Sequence, residues 1–492
     1  MLLRHATYLQ AVWLCLTIQS LAQLPQVGVL IDPELINQDI QLLREVLHES
    51  HPGYSAFCPE SRLDSMFAEA RVEEACSPRD LYITAARLID EIGDGHTNLY
   101  FTEDVSDQLL NHKRFFPFTL LFAQGRAYVN HNFSEHEYLP RGSEIVSING
   151  VPMEEIVDEL TVFITCDGRP REAELRQLEG QFWWFYALRF GFRNTFSIAY
   201  REAMSDPAIP PKLLLASAIG YNDRFDLLQE VYGFGDEAAE PFEFTIDNDY
   251  GVLTIRQFHG ISRMRYEAFL NRCFAELNTR RISSLIIDIR ENGGGREGFE
   301  NLLFSHLEND LSNKYRTVEM INVKSQYYAY MDHPIRNRFK DMLYRTFEFK
   351  TGEGTYCRKE RFGRTLEPTN DVYRGDVYIL ISGEVFSSGA DFASLAKSYG
   401  TRCTLIGGET LGGAVANNSG YFYRFILPNT GLVVEVPRVR FELDIDDQPV
   451  DHGVIPDVEI EVSQEDLVRG TDPLIGAAHQ LIHARAAVAR KE

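Results

Sequence analysis

Hydrophobic positions recur along the chain with two different periods, and the changes of period mark its organisation. From Gln38 to His51, apolar Ile40, Leu42, Leu43, Val46 and Leu47 fall on one face of a helix. His51-Pro52-Gly53-Tyr54 ends it, because proline disfavours helix in the residue before it. Leu63 to Arg71 reads as a second helix. A third opens at Ser77-Pro78, with serine as cap and proline in the first turn, and carries Leu81, Ala85, Leu88 and Ile89 on its apolar face. It stops at Gly93, where Gly93-Asp94-Gly95-His96-Thr97 makes a tight turn into a strand beginning at Leu99. His96 thus sits on a loop between rigid elements, where catalytic side chains concentrate and where solvated or capping histidines are also common.

The period then falls to two. Phe115 to Phe122 and Arg126 to Val129 read as paired strands. Pro140-Arg141-Gly142 leads into an alternating strand, Ser143 to Ile148, closed by an Asn149-Gly150 turn and a short helix from Met153 to Leu160. That order resembles a PDZ-like module, which captures an extended peptide on a strand edge. The aromatic run Gln181 to Tyr186 reads as core or as a seam between units. Residues 201–240 are mixed and linker-like, with a boundary near Pro241.

Beyond Pro241, strands and helices alternate, which predicts a mostly parallel sheet with an antiparallel edge. Phe242 to Ile246 and Gly251 to Phe258 form a hairpin, Tyr266 to Leu277 an amphipathic helix, and Ser283 to Ile289 a buried strand. Residues 308–370 have weak periodicity and are expected to be a helical insertion. Val377 to Ile381 is another buried strand, followed by Glu384-Val385-Phe386-Ser387-Ser388-Gly389-Ala390-Asp391 and a helix bearing Phe392, Ala393, Leu395 and Ala396. A serine on such a strand-to-helix turn is either an N-cap or a nucleophile beside free backbone N–H donors. Cys403 to Ile406 is a further strand, Tyr421 to Leu427 and Leu432 to Val436 a hairpin, and Pro473 to Arg485 the last helix.

Composition narrows the function. The chain has 492 residues, enough for two to four domains, and a formal net charge of -24. Such a surface repels phosphate backbones, which argues against a nucleic-acid partner. Arg4, the apolar run from Tyr8 to Ile18 and the small residues Ser20 and Ala22 read as a cleaved signal peptide over residues 1–22, giving a secreted or periplasmic protein with no stable membrane insertion. A membrane anchor formed by residues 8–21 is the alternative. Six cysteines remain after Cys15, none in CxxC spacing, so neither a zinc site nor a thioredoxin-type motif is indicated. Cys58 and Cys76 could close a local loop, or the thiols are free.

Arg290-Glu291-Asn292-Gly293-Gly294-Gly295 follows a buried strand and opens a helix. It lacks both GxGxxG and GK[ST], so an oxyanion-binding loop fits better than a phosphate loop. Together with Asp94-Gly95-His96-Thr97, Ser388-Gly389-Ala390-Asp391-Phe392-Ala393, Ile406-Gly407-Gly408-Glu409-Thr410-Leu411-Gly412-Gly413 and Gly453-Val454-Ile455-Pro456-Asp457, this loop resembles the C-terminal processing, or tail-specific, serine peptidases and the related tricorn core. The pattern divides an α/β multidomain chain into a signal peptide (1–22), an N-terminal helical domain carrying the histidine loop (23–110), the PDZ-like β-rich module (111–200), the mixed segment (201–240) and an α/β core (241–485) with an insertion near 308–370, and the resemblance implies that this core is a crotonase/ClpP-like peptidase core with a mostly parallel sheet.

It also implies a function, hydrolysis of peptide bonds in a peptide or protein substrate, with trimming of protein C-termini, and no cofactor or metal. The family pattern places the nucleophile three residues before an acidic residue, which selects Ser388, before Asp391, over Ser387. The oxyanion donors implied are the N–H groups of Gly389 and Gly294, with Gly293 adjacent. The lysine base of the bacterial branch corresponds to Gly413 here, so the tricorn-like branch and its histidine, His96, supply the base. That branch has a serine where Gly95 stands and a glutamate near the Gly-Val-x-Pro-Asp string. Here that region offers Asp444, Asp446, Asp447 and Asp451, and the orienting acid stays open. A second reading is a non-catalytic carrier of a hydrophobic ligand or a peptide on the same scaffold, as in the related interphotoreceptor retinoid-binding proteins, with Trp183 and Trp184 among its aromatics.

Overall fold

The computed structural model describes residues 28–489, apart from 112–113, 137–138, 233–239, 248, 309–312, 353, 361–368 and 370–371. The expected signal peptide and the alternative anchor lie outside the described residues. Among the described residues no helix is long and apolar enough to cross a membrane. The six described cysteines are all free thiols.

Helices α1 (Pro33–Ser50), α2 (Glu60–Glu69) and α3 (Pro78–Asp90) form the N-terminal unit. At the start of α3, Ser77 and Asp80 cap each other's backbone, the reciprocal pairing that the Ser-Pro start favours. The glycine turn then delivers β1 (Asn98–Tyr100) and α4 (Glu103–Leu110).

The β-rich module comprises β2 (Phe118–Ala123), β3 (Arg126–Asn132), β4 (Glu144–Ile148), β5 (Val151–Pro152), α5 (Met153–Thr161), α6 (Arg171–Phe190), β6 (Thr195–Arg201) and β7 (Lys212–Ser217). Its sheet runs β2-β3-β4-β6-β7, with β5 on β4. Asn149 and Gly150 both have positive φ, 51° and 81°, as a tight hairpin turn requires. Two features depart from the sequence reading. First, the aromatic run is part of a 20-residue helix, α6. Its period is hidden because it buries aromatics on two sides: Phe182, Phe185 and Tyr186 enter the main core, while Trp183 packs on Phe115. Second, the sheet extends into the segment read as linker, because β7 pairs with β6 from Thr195–Ser217 to Tyr200–Lys212. Exposed Leu213 and Leu215 on its open face had masked the alternation. Helix α7 (Tyr221–Tyr232) follows.

The α/β core begins with β8 (Phe242–Asp247), β9 (Tyr250–Ile255), α8 (Arg263–Arg280), β10 (Ser284–Asp288) and α9 (Phe299–Phe304). The insertion supplies β11 (Tyr315–Met320), α10 (Pro334–Leu343), β12 (Phe349–Thr351) and β13 (Tyr356–Arg358). The chain then makes β14 (Asp376–Ile381), α11 (Ser388–Tyr399), β15 (Cys403–Gly407), β16 (Ala416–Ile426), β17 (Val433–Leu443), β18 (Val458–Glu459), α12 (Gln464–Arg469) and α13 (Pro473–Ala489).

The main sheet has the order β18-β15-β14-β10-β9-β8 and is parallel except for the edge pair β8–β9. Its central strands are apolar on both faces. Leu285, Ile287, Ile379 and Ile381 pack toward α8 and α11, whereas Ile286, Tyr378 and Leu380 pack toward α13. A second sheet, β1-β17-β11-β13-β12 with β16 on β17, corrects the expectation of a helical insertion. Short alternating strands interrupted by turns give little periodic signal, and β11 is held by β17, more than a hundred residues away.

This second sheet seats the histidine loop. Asn98, Leu99 and Tyr100 of β1 pair with Glu435, Val434 and Val433 of β17. Helix α1 locks the far end of the same hairpin, where the buried Asp39 carboxylate accepts from both N–H groups of Asn429 (3.2 and 2.9 Å) and from the N–H and hydroxyl of Thr430 (2.8 and 2.6 Å). Replacing it leaves buried backbone donors without acceptors. Asp39→Ala is expected to lower stability by about 1–3 kcal/mol, read as a shift of the urea midpoint, and an unchanged midpoint would contradict this account of the docking.

Candidate active site

Four backbone segments converge at one end of the main sheet. The turn between β14 and α11 carries Ser387, a non-glycine residue with φ 53° and ψ -127°. A left-handed φ of this kind costs about 1–3 kcal/mol and persists only where the surroundings over-determine it. Here they do. The Phe386 N–H donates to the Asn292 carbonyl (3.1 Å), the N–H groups of Leu411 and Gly412 donate to the Val385 carbonyl (3.0 and 3.2 Å), and the Asp391 N–H closes the helix onto the Ser387 carbonyl (3.0 Å). The glycine-rich loop presses against the turn. A Cβ on Gly294, whose φ is 92°, would lie 2.7 Å from the Ser387 Cβ. The result is a sharp strand–turn–helix that presents a serine hydroxyl, as in a nucleophile elbow.

His96 meets this hydroxyl from the other side. Its Nε2 lies 3.2 Å from Ser387 Oγ, a contact spanning 291 positions of sequence. Burial pushes the imidazole below its usual pKa range, against the opposing pull of Asp94 and Asp391, so the ring is neutral and able to accept a proton near pH 7. The Phe386 ring stacks on the imidazole with centroids 4.4 Å apart. That ring also explains the glycine before the histidine, because a Cβ on Gly95 would sit 2.5 Å from Phe386 Cε2.

Behind the histidine lies a buried polar network. The Asp94 carboxylate accepts from His51 Nε2 (3.0 Å), the Thr97 hydroxyl and the Asn418 side-chain amide (3.1 Å). The Gly53 N–H donates to His51 Nδ1 (3.0 Å), which leaves the His51 proton on Nε2, facing Asp94. Burial alone would raise the Asp94 pKa, but His51 and Thr97 outweigh it and hold the group below the usual carboxylate range. Asp167, also buried, accepts from the Gly95 N–H (2.9 Å) and the Gly413 N–H (3.0 Å). Burial, with the charge of Asp94 added, pushes Asp167 up to about 7.

The structure thus brings together His96, the serine turn and the glycine loop, as read from the sequence, and pairs the histidine with Ser387. Ser388, the expected nucleophile, opens α11; its hydroxyl is buried and without a hydrogen-bond partner among the described residues. The two expected oxyanion donors are engaged: the Gly389 N–H with the Phe386 carbonyl (2.9 Å) and the Gly294 N–H with Asn292 Oδ1 (2.9 Å). The N–H groups of Ser388 and Gly295 have no acceptor among the described residues, and both residues line the cleft. The acids considered from the sequence lie elsewhere. Asp444 and Asp446 pair with Arg316, Asp447 accepts from the Ser398 hydroxyl, and the backbone of Asp451 packs on Gly168. Asp94 belongs to the motif quoted for the histidine loop but carries no signal for its contacts with His51 and Asn418, and Asp167 carries none at all, since its partners Gly95 and Gly413 lie in distant segments.

Asp391, the acidic residue of the serine motif, is held by Lys314 Nζ (2.6 Å) and the Asn417 amide (3.0 Å), and Lys314 also contacts Glu300 (2.7 Å). Burial alone would lower the Lys314 pKa, but the two carboxylates hold its ammonium well above the usual range, so this lysine stays charged and is no general base. The cleft over the site encloses about 500 Å³, with Val318, Phe349, Tyr421 and Phe441 along one wall and Arg296, Glu297 and Arg358 at its edge. Asp94, a ring nitrogen of His96 and Asp167 lie within 4.8 Å of one another, close enough to hold a cation among the described residues. Their carboxylate oxygens, however, are already acceptors of protein hydrogen bonds, which is the chemistry of a positioning network.

A serine hydroxyl hydrogen-bonded to a neutral histidine beside a glycine loop is the apparatus of acyl transfer. Residues 249–460 match the sequence model of peptidase family S41. Mature CPAF has a similar fold (TM-score 0.59, 16% identity, 88% of this chain and 94% of that one), as does mature CPAF complexed with lactacystin (TM-score 0.62, 14% identity, 94% and 99%). A search of curated protein sequences gave no match.

The buried Lys314 cluster yields a stability test. Lys314→Met leaves Glu300 and Asp391 without their counter-charge and is expected to cost about 3–5 kcal/mol by chemical denaturation. Adding Glu300→Gln and Asp391→Asn should recover part of that loss, and a stable single variant would contradict the charge-pairing account.

Proposed function

We propose that this chain is an exported serine peptidase in which Ser387 attacks the peptide carbonyl and His96 takes, then returns, the proton. The observation that carries this reading is the 3.2 Å contact between His96 Nε2 and Ser387 Oγ on a strained turn. In the proposed step the Ser387 hydroxyl proton passes to Nε2 as the oxygen bonds to the carbonyl carbon. The oxyanion lies against the N–H of Ser388 and a glycine-loop N–H, for which Gly295 has a free donor. One such donor contributes roughly 2.7–4 kcal/mol to transition-state stabilisation. Collapse of the intermediate returns the proton to the leaving amine, and water then repeats the cycle on the acyl-enzyme. The apolar wall of the cleft favours an apolar side chain next to the scissile bond. The PDZ-like module supports docking of a substrate C-terminus, and the pattern over residues 1–22 supports export.

The sequence motif favours Ser388 for the nucleophile, and the two serines are separable. Ser387→Ala is expected to abolish labelling by a fluorophosphonate probe and to lower kcat by about 10³-fold or more, whereas Ser388→Ala keeps the label. The reverse pattern would return the role to Ser388. His96→Ala should match the loss in Ser387→Ala, because the two act as a unit.

One cavity favours the second reading. About 430 Å³ behind Phe386 is lined by Tyr82, Phe101, Phe163, Trp184 and Phe185, with no charged side chain. A chain that neither labels nor cleaves peptides, yet co-purifies with a hydrophobic ligand that quenches tryptophan fluorescence, would be a carrier.

A further inference from the structure

The proposed base lacks one element. For Nε2 to accept the Ser387 proton it must be bare, so the imidazole proton resides on Nδ1. That nitrogen is buried and has no hydrogen-bond partner among the described residues. Nδ1–H needs an acceptor to hold the ring and to stabilise the imidazolium that forms. Two carboxylates come within 4.8 Å of a ring nitrogen of His96, those of Asp94 and Asp167.

They differ in spare capacity. Asp94 already accepts from three side chains, with His51 and Thr97 on one oxygen and Asn418 on the other. Among the described residues Asp167 accepts from two backbone N–H groups, one on each oxygen, and so has lone pairs to spare. Asp167 also sits where three segments meet. Its own N–H donates to the Leu411 carbonyl (3.2 Å), and the next residue, Gly168, donates to the Gly93 carbonyl (3.0 Å). The carboxylate therefore joins the histidine loop, at Gly95, to the loop after β15, at Gly413, from a segment that belongs to the β-rich module between α5 and α6.

Resting on the Ser387–His96 reading, we propose that Asp167 is the positioning residue that accepts the His96 Nδ1–H and fixes the ring for proton transfer. It makes the base depend on how the β-rich module is seated: a displacement of the 162–170 segment moves the acceptor and the histidine loop together. The other charged or titratable groups facing this ring are Asp94, Asp391 and His51. No proton leaves Nδ1 in the step; Asp167 holds it by a hydrogen bond while Nε2 takes and returns the serine proton.

The test is Asp167→Asn in the full chain, with Asp94→Asn beside it. In Asp167→Asn, kcat on a peptide substrate should fall by about 10²–10⁴-fold with KM within roughly threefold of wild type. A loss confined to KM, or a kcat within roughly threefold of wild type, overturns the proposal. NMR of ¹⁵N-histidine-labelled protein gives a second readout that a merely structural role would not move. The downfield His96 Nδ1–H resonance, identified by its loss in His96→Ala, should disappear in Asp167→Asn and persist in Asp94→Asn; the opposite pattern overturns it. Should Asp167→Asn fail to fold, a wild-type structure with a phosphonate on the serine decides: Nδ1 at about 2.7–3.2 Å from an Asp167 oxygen supports the role, and contact with Asp94 alone overturns it. A wild type with neither turnover nor labelling would sink the peptidase reading, while the resonance in the free chain would still decide Asp167.

Discussion

The hydrogen bond between Ser387 and His96 is the constraint on which the rest of the structure depends. A contact at 3.2 Å between side chains 291 residues apart tolerates little error in either backbone. The fold removes that error with main-chain bonds. β1 is paired onto β17, which fixes the histidine loop to the core. The serine turn is tied to the glycine loop and to the segment after β15 through Phe386 and Val385. Ser387 can hold a left-handed φ because the main-chain bonds of Val385, Phe386 and Asp391 fix the backbone on both sides of it.

Buried charge does the remaining positioning. Lys314 bridges Glu300 to Asp391 in the first turn of α11, and Asp94, His51 and Asp167 lie behind the histidine. Such clusters add little net stability compared with apolar packing. What they supply is directionality, because each oxygen has its donors assigned and the loops that supply those donors cannot slide. Helix α6 joins the two halves. It begins just after Asp167, and its Arg176 reaches Glu384 (2.9 Å) in the serine turn. The module expected to bind peptides is therefore mechanically continuous with both the histidine loop and the serine turn.

Much of this was legible in the sequence because its signals are local. The helix faces, the Asn149-Gly150 turn, the buried strands and the parallel core all follow from period and turn chemistry. His96, the serine turn and the glycine loop each sit at an element junction, but what singled them out together was the resemblance of their motifs to the tail-specific peptidases. The choice between adjacent serines was not legible. Spacing to Asp391 favours Ser388, whereas the pairing with His96 depends on a backbone twist at Ser387 that no residue type announces. Asp167 was hidden for a related reason, since its partners are N–H groups from remote segments. Helix α6 was hidden by aromatics on opposite faces, and β11 by a partner strand more than a hundred residues away.

Peptide mapping of the wild-type chain after reaction with a fluorophosphonate tests the central claim most directly. The account predicts one adduct, on Ser387 Oγ, that fails to form when His96 is replaced by alanine. An adduct on Ser388, or labelling that persists without His96, would contradict it.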